Sequence, residues 1–305
     1  MARSRFIKDT GLTVRMTTVM FLLGGLFVAL VVGLMFAAAN SGYRTLVPII
    51  GLVGIAIAGW QWWNSDKAAM RAMRAYEVTP EEYPELHGTI DRLCALAEMP
   101  KPRVGIAEMD IPNAFATGRS PDRAVVCVTT GIMGKLTPEE LEAVLAHELS
   151  HVAHRDVLVM TVASSAGIVA GMLLQGSRFG ALMGRRDRNS AAFFMITLLA
   201  SLIVYAVSFF LLRLLSRYRE LCADRAGAYL TLKPGALASA LQKITGEIAA
   251  IPQRDLRAPK SLNALCIAPA ISGATLKTLT STHPSLEQRL EQLARIQAEL
   301  GRPNA

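Results

Sequence analysis

Four apolar stretches constrain this chain more than any other feature: roughly 16–39, 45–63, 157–175 and 191–215. Each is long enough, or nearly so, to cross a hydrocarbon core about 30 Å thick, which takes roughly 20 apolar residues in a helix. Backbone groups in lipid have no water to bond, so these stretches are predicted to be helices. Composition agrees, with 52% hydrophobic and only 18% charged residues and a mean hydropathy of +0.34. Soluble domains carry about 25% charged residues. The expectation is a mainly α integral membrane protein with four hydrophobic helices.

A cleaved signal peptide is the rival reading of the first stretch, because basic residues precede it and Ala37, Ala38 and Ala39 resemble a cleavage site. Its apolar core is too long, and a second stretch follows at once, so it reads as an uncleaved anchor. The net charge of +8 lies largely beside the apolar stretches: Arg3, Arg5, Lys8 and Arg15, then Lys67, Arg71 and Arg74, then Arg213, Arg217 and Arg219. Flanking charge of this kind belongs on the cytoplasmic side, and Arg44 alone sits in the turn between the first two stretches. With no nucleic-acid motif present, a lipid bilayer rather than nucleic acid explains the charge. Trp60, Trp62 and Trp63 end the second stretch and read as an interfacial belt. Arg178, Arg185, Arg186 and Arg188 lie between the third and fourth stretches, where an outer loop should be poor in Arg. Either the other flanks outvote them or this hairpin does not fully span. Cys94, Cys127, Cys222 and Cys266 are scattered without a C-x-x-C, which reads as free thiols in a reducing compartment.

The polar parts of the chain divide it into three: an N-terminal hairpin at 1–63, a cytoplasmic domain at 64–156 plus 216–305, and a second hydrophobic hairpin at 157–215 inserted within that domain. In the first polar block, 77–96 carries helical periodicity broken at Pro80 and Pro84. Strand-like runs follow at 103–108, 113–118 and 124–129, separated by turn residues. The second polar block carries helices near 217–230, 234–249 and 284–300.

The chemistry is carried by His147-Glu148-Leu149-Ser150-His151. Thr137, Pro138 and Glu140 form a helix start, with Thr as N-cap, Pro first in the helix and Glu closing a capping box. Leu141, Val144, Leu145, Leu149 and Val152 continue at helical spacing. His147 and His151 are therefore one turn apart on one face, about 5–6 Å between Cβ atoms. That spacing lets two imidazoles share a tetrahedral Zn2+, with Glu148 beside it as candidate general base. The competing reading is a solvated helix face.

A catalytic zinc takes three protein ligands and a water. Val157, ten residues after His147, cannot ligate, and His154 is a possible third ligand that also reads as a plain helix-face histidine. Glu220 is the better candidate, with Asp224 one turn further on to accept a ring N–H from a ligand histidine. Arg217, Arg219 and Arg225 surround the two acids, so a solvated charged face competes here too. Two crossings, or none, between His151 and Glu220 return the chain to the same side. His151 precedes the third stretch by about 9 Å of helix and Glu220 follows the fourth by about 7.5 Å. A histidine helix running straight into the bilayer would put the site at the membrane surface.

Together these residues resemble the HtpX family of membrane zinc metalloproteases, relatives of the prenyl-protein proteases, over nearly the whole chain. The resemblance implies an α+β zincin-like (gluzincin) catalytic domain with one Zn2+ per chain on His147, His151 and Glu220, at the bacterial cytoplasmic (inner) membrane and facing the cytoplasm. It implies an endopeptidase that cleaves cytoplasmic segments of misfolded membrane proteins or unfolded proteins. The stretch 112–118 resembles the family's edge strand, so Asn113, Ala114, Phe115 and Ala116 would pair with substrate backbone. The stretch 282–285 with Arg289 resembles its late His-Pro motif, so His283 or Arg289 would stabilise the oxyanion. Prenyl-peptide cleavage and a catalytically silent zinc-binding adaptor are the alternatives. A transporter ranks last, because intramembrane charges are few and no half-helix repeat is evident.

Overall fold

The structure is a computed structural model that describes residues 10–40, 64–156, 188–250 and 283–301, with isolated positions between 49 and 63 and at Ala170. The predicted span at 157–175 lies outside these residues save for Ala170, and the one at 45–63 is described only at isolated helical positions. Arg178, Arg185, Arg186 and Cys266 also lie outside them. The chain divides into two compact units, one of Met1–Leu12, Ser65–Leu158 and Ser216–Ala305, the other of Thr13–Asn64 and Val159–Leu215.

Two described helices are long and apolar enough to cross a bilayer: α1 (Thr10–Asn40), and the part of a later helix from Met195 onward. The α1 helix is 31 residues long, about 46 Å at 1.5 Å per residue, which exceeds the hydrocarbon thickness. One face of it carries large exposed apolar side chains, with Phe21 71% and Phe36 72% exposed, as contact with lipid requires. Within the same unit Leu30, Leu34, Ala170 and Val204 form a small buried cluster.

The larger unit is built on a mixed sheet. After helix α2 (Ser65–Ala72) come β1 (Ala75–Glu77), helix α3 (Pro84–Ala97), β2 (Arg103–Ala107), β3 (Ala114–Thr117) and β4 (Val125–Thr129). Their spatial order is β1-β2-β4-β3, antiparallel except for the parallel β2–β4 pair. The central strand β4 reads Val-Val-Cys-Val-Thr without polar alternation because both its faces are covered. Val126 and Val128 join the main core, while Val125 and Cys127 pack with Phe115, Ala69 and Met73 on the α2 side. The helical periodicity from residue 77 is corrected at its start: Glu77 is in β1 and the helix begins at Pro84. Proline disfavours helical geometry in the residue before it, so the helix starts at the second proline instead of crossing it.

A short helix α4 (Thr130–Lys135) leads into α5 (Pro138–Ala153), the histidine helix. The predicted capping box is present: Glu140 N–H donates to Thr137 Oγ1, and Thr137 N–H donates to the Glu140 carboxylate. From Ala143 to Val152 every residue of α5 is buried. The helix does not run on past the motif as expected. It ends at Ala153, His154 is the C-cap, and Arg155 has φ +58°, a left-handed residue that turns the chain aside.

The long helix α6 (Arg188–Thr231) runs unbroken through the fourth apolar stretch and the helix near 217–230, since no proline and only Gly227 interrupts its 44 residues. Helices α7 (Pro234–Ala250) and α8 (Leu286–Leu300) complete the unit, with Leu237, Leu241, Ile244, Leu293 and Ile296 in the core against Leu145 and Leu149. Gly227 lies against the backbone of α5: a Cβ there would stand 2.9 Å from His147 N and 3.2 Å from His147 Cα. Backbone cannot yield as a flexible side chain does. Gly227→Ala is therefore expected to destabilise by about 1–3 kcal/mol, read as a lowered thermal midpoint; an unchanged midpoint would refute this close approach.

Candidate metal centre

The capped start of α5 fixes its rotation, and the core contacts of Leu145 and Leu149 orient its histidines toward α6. The His147 and His151 rings meet edge to face, centroids 4.8 Å apart, with their Nε2 atoms 3.2 Å apart. Glu220, from α6, completes the group: Oε2 lies 3.6 Å from His147 Nε2, and Oε1 lies 3.4 Å from His151 Nε2. These three residues are buried and form one potential metal-binding group. A tetrahedral ion with bonds of 2.0–2.1 Å sets its ligand atoms about 3.3 Å apart. Each histidine has a Glu220 oxygen near that distance, though a different one, and one ligand atom from each residue lies within 4.8 Å of the others.

The burial of these groups calls for a cation. Among the described residues Glu220 Oε2 is buried and makes no aligned hydrogen bond; His283 Nδ1 and Arg289 Nη1 approach it at 3.2 and 3.9 Å. A buried carboxylate oxygen left this way is costly, and a metal ion would satisfy it. The solvated-face readings fail on the same observation, since Glu220, Asp224, His147 and His151 are all buried. His154 stands apart from the group, its Nδ1 2.8 Å from the Ser150 carbonyl oxygen.

Around the group lie acids and arginines. Asp224 Oδ1 is 2.9 Å from His147 Nδ1, in reach though not aligned as a hydrogen bond. Arg289 donates to both Asp224 oxygens, from Nε at 2.7 Å and from Nη2 at 2.6 Å. Arg289 thus grips Asp224 through two nitrogens, and His283 Nδ1 comes closer to Glu220 than Arg289 does. Sequence reasoning missed Asp156, whose Oδ2 lies 2.7 Å from His151 Nδ1. No helical spacing could signal it, because the turn at Arg155 and not a helix brings it back.

Burial pushes the Glu148 carboxyl above its usual range, against the pull of His147 and His151. Burial opposes charge on His151, but the Asp156 hydrogen bond and Glu220 outweigh it and raise the ring to about 10. His147 is raised in the same way, with Asp224 and Glu220 outweighing burial. A metal ion takes the neutral ring, so protonation and metal binding compete at both histidines.

Of the predicted substrate segment, Asn113 is held by main-chain bonds, with its N–H donating to Thr129 Oγ1 and its carbonyl accepting from Thr129 N–H, both at 2.9 Å. Ala114, Phe115 and Ala116 lie in β3, paired with Val128, Cys127 and Val126, at one end of the sheet order and packed against α5. Ala114 and Phe115 are buried and Ala116 half-buried. A small pocket opens between the end of β3 and the end of α5, lined by Thr117, Gly118, Pro121, His151 and Val152 among others.

A buried His-His-Glu group on two packed helices, with a glutamate inside the histidine motif, defines a metallopeptidase-type centre. Residues 80–297 match the profile of Peptidase family M48. Protease HtpX homolog 1 of Streptomyces coelicolor is 54% identical over 98% of this chain and 97% of its own. The Protease HtpX homolog of Moorella thermoacetica is 48% identical over 98% of each chain. The chain belongs to peptidase family M48, as a metalloprotease homologous to the HtpX proteases. Among solved structures, the crystal structure of S. mikatae Ste24p aligns with TM-score 0.46 at 18% identity, covering 92% of this chain and 65% of that one.

Proposed function

We propose that the chain is a zinc-dependent endopeptidase of the bacterial cytoplasmic membrane, with its catalytic domain in the cytoplasm, cutting exposed segments of misfolded membrane proteins. The observation that carries the chemistry is the buried His147, His151 and Glu220 group, whose ligand atoms lie close enough together to share one metal ion. Zinc bound there supplies a Lewis acid that lowers the pKa of a water to about 7. Glu148, in the same buried site, accepts a proton from the attacking water and passes it to the leaving amine nitrogen. His283, 3.2 Å from Glu220 through Nδ1, stabilises negative charge developing on the scissile carbonyl oxygen. Arg289 acts one step back, holding Asp224 against His147.

Substrate backbone lies extended along β3 at Asn113 to Ala116, and the pocket beyond Thr117 receives a side chain beside His151. The two apolar helices support membrane attachment, and the basic flanks support the cytoplasmic orientation. Sealed vesicles carrying the full chain test that orientation. Zinc-loaded inside-out vesicles should cut external casein and should cut an embedded destabilised membrane protein within a cytoplasmic loop. Cleavage by right-side-out vesicles instead would overturn the orientation, and cleavage confined to folded substrates would overturn the quality-control role.

A further inference from the structure

Both ligand histidines are backed by a carboxylate that an arginine holds, but the two carboxylates come from different places. Asp224 stands behind His147 from α6, one turn beyond the third ligand, and Arg289 grips it. Behind His151 stands Asp156, five residues after it and beyond the turn that ends α5, with Oδ2 2.7 Å from His151 Nδ1. Arg219 pairs with the same oxygen by charge, with Nε 2.9 Å away though not aligned as a hydrogen bond, and its Nη2 lies 3.5 Å from His151 Nδ1. Asp156 is only 1% exposed, so it is no solvated surface acid. The geometry depends on the end of α5. With His154 as C-cap and Arg155 left-handed, the turn swings residue 156 back beneath His151, where a continued helix would carry it away.

We infer that Asp156 and Arg219 are a positioning pair for the second ligand: Asp156 accepts the Nδ1 proton of His151, fixing the tautomer that leaves Nε2 for the metal, and Arg219 fixes Asp156. The inference rests on the proposed metal centre and assigns these residues no contact with substrate. Arg219 immediately precedes Glu220 on α6, so one turn of that helix supplies both the third ligand and the support of the second. Loss of such a partner typically weakens metal binding about 10–100-fold.

The test uses the full chain in detergent as wild type, Asp156→Asn, Asp156→Ala, Arg219→Lys and, for reference, Asp224→Asn. Zinc affinity is read by competition with a chromogenic chelator, the ligand field by the visible spectrum of the Co2+-loaded protein, and folding by the thermal midpoint without metal. Asp156→Asn should weaken zinc binding about 10–100-fold and shift the cobalt spectrum, as Asp224→Asn does, with the metal-free midpoint unchanged. Asp156→Ala should be weaker still, and Arg219→Lys intermediate. If wild type binds one zinc and the Asp156 variants bind it equally well, the inference is wrong. A loss of affinity matched by a fall in the metal-free midpoint would also overturn it, as a purely structural role. A wild type that binds no zinc would instead overturn the metal centre itself.

Discussion

Glu148→Gln is expected to leave zinc binding intact and to lower peptide cleavage by about 10²–10⁴-fold, the range a positioned general base contributes. The residue is 4% exposed, on a helix buried throughout its middle, so the substitute must keep the shape of the side chain. Glutamine does so and keeps the packing, whereas alanine would leave a void in a close-packed region. Glutamine cannot accept a proton from water, and that is the one function removed. None of the three group members is altered, so zinc should stay at one per chain. Cleavage within tenfold of wild type would exclude Glu148 as the base. Loss of zinc would show that Glu148 supports the metal instead.

Glu220→Ala should act on the other half of the chemistry and abolish activity by emptying the site. The carboxylate is the only anionic member of the group and stands 3.6 and 3.4 Å from the two histidine Nε2 atoms. Its removal leaves two neutral ligands, with Arg289 and the other surrounding cations no longer opposed by this charge. Zinc affinity should fall further than the ~10–100-fold typical of losing an outer partner. Helical content should persist, because α5 and α6 are held by the Leu145 and Leu149 core and by Gly227 against His147. Retained stoichiometric zinc would mean that another residue is the third ligand. Cleavage without zinc would contradict a metal mechanism altogether.

The metal group was legible because helix periodicity does the geometric work. A spacing of four between His147 and His151, and again between Glu220 and Asp224, puts each pair on one face whatever surrounds them. Thr137 and Glu140 marked the helix start because capping is a local interaction. Turn geometry and long-range packing were not legible. Arg155 carries no signal of its left-handed conformation, so the end of α5 and the return of Asp156 were missed together. The engagement of Arg289 with Asp224 depends on how α8 packs on α6, and separate segments of sequence do not encode that visibly. Proline at 84 also decided the start of α3 against a periodicity that extended further.

The most direct test of a zinc centre built from His147, His151 and Glu220 is zinc-edge X-ray absorption on the full chain, loaded with one equivalent in detergent. The expected spectrum has nitrogen and oxygen neighbours only, at about 2.0–2.2 Å, with the outer-ring scattering of two imidazoles. Glu220→Ala should lose the carboxylate contribution or the metal. A sulfur shell at about 2.3 Å, or a spectrum unchanged by removing Glu220, would contradict this centre.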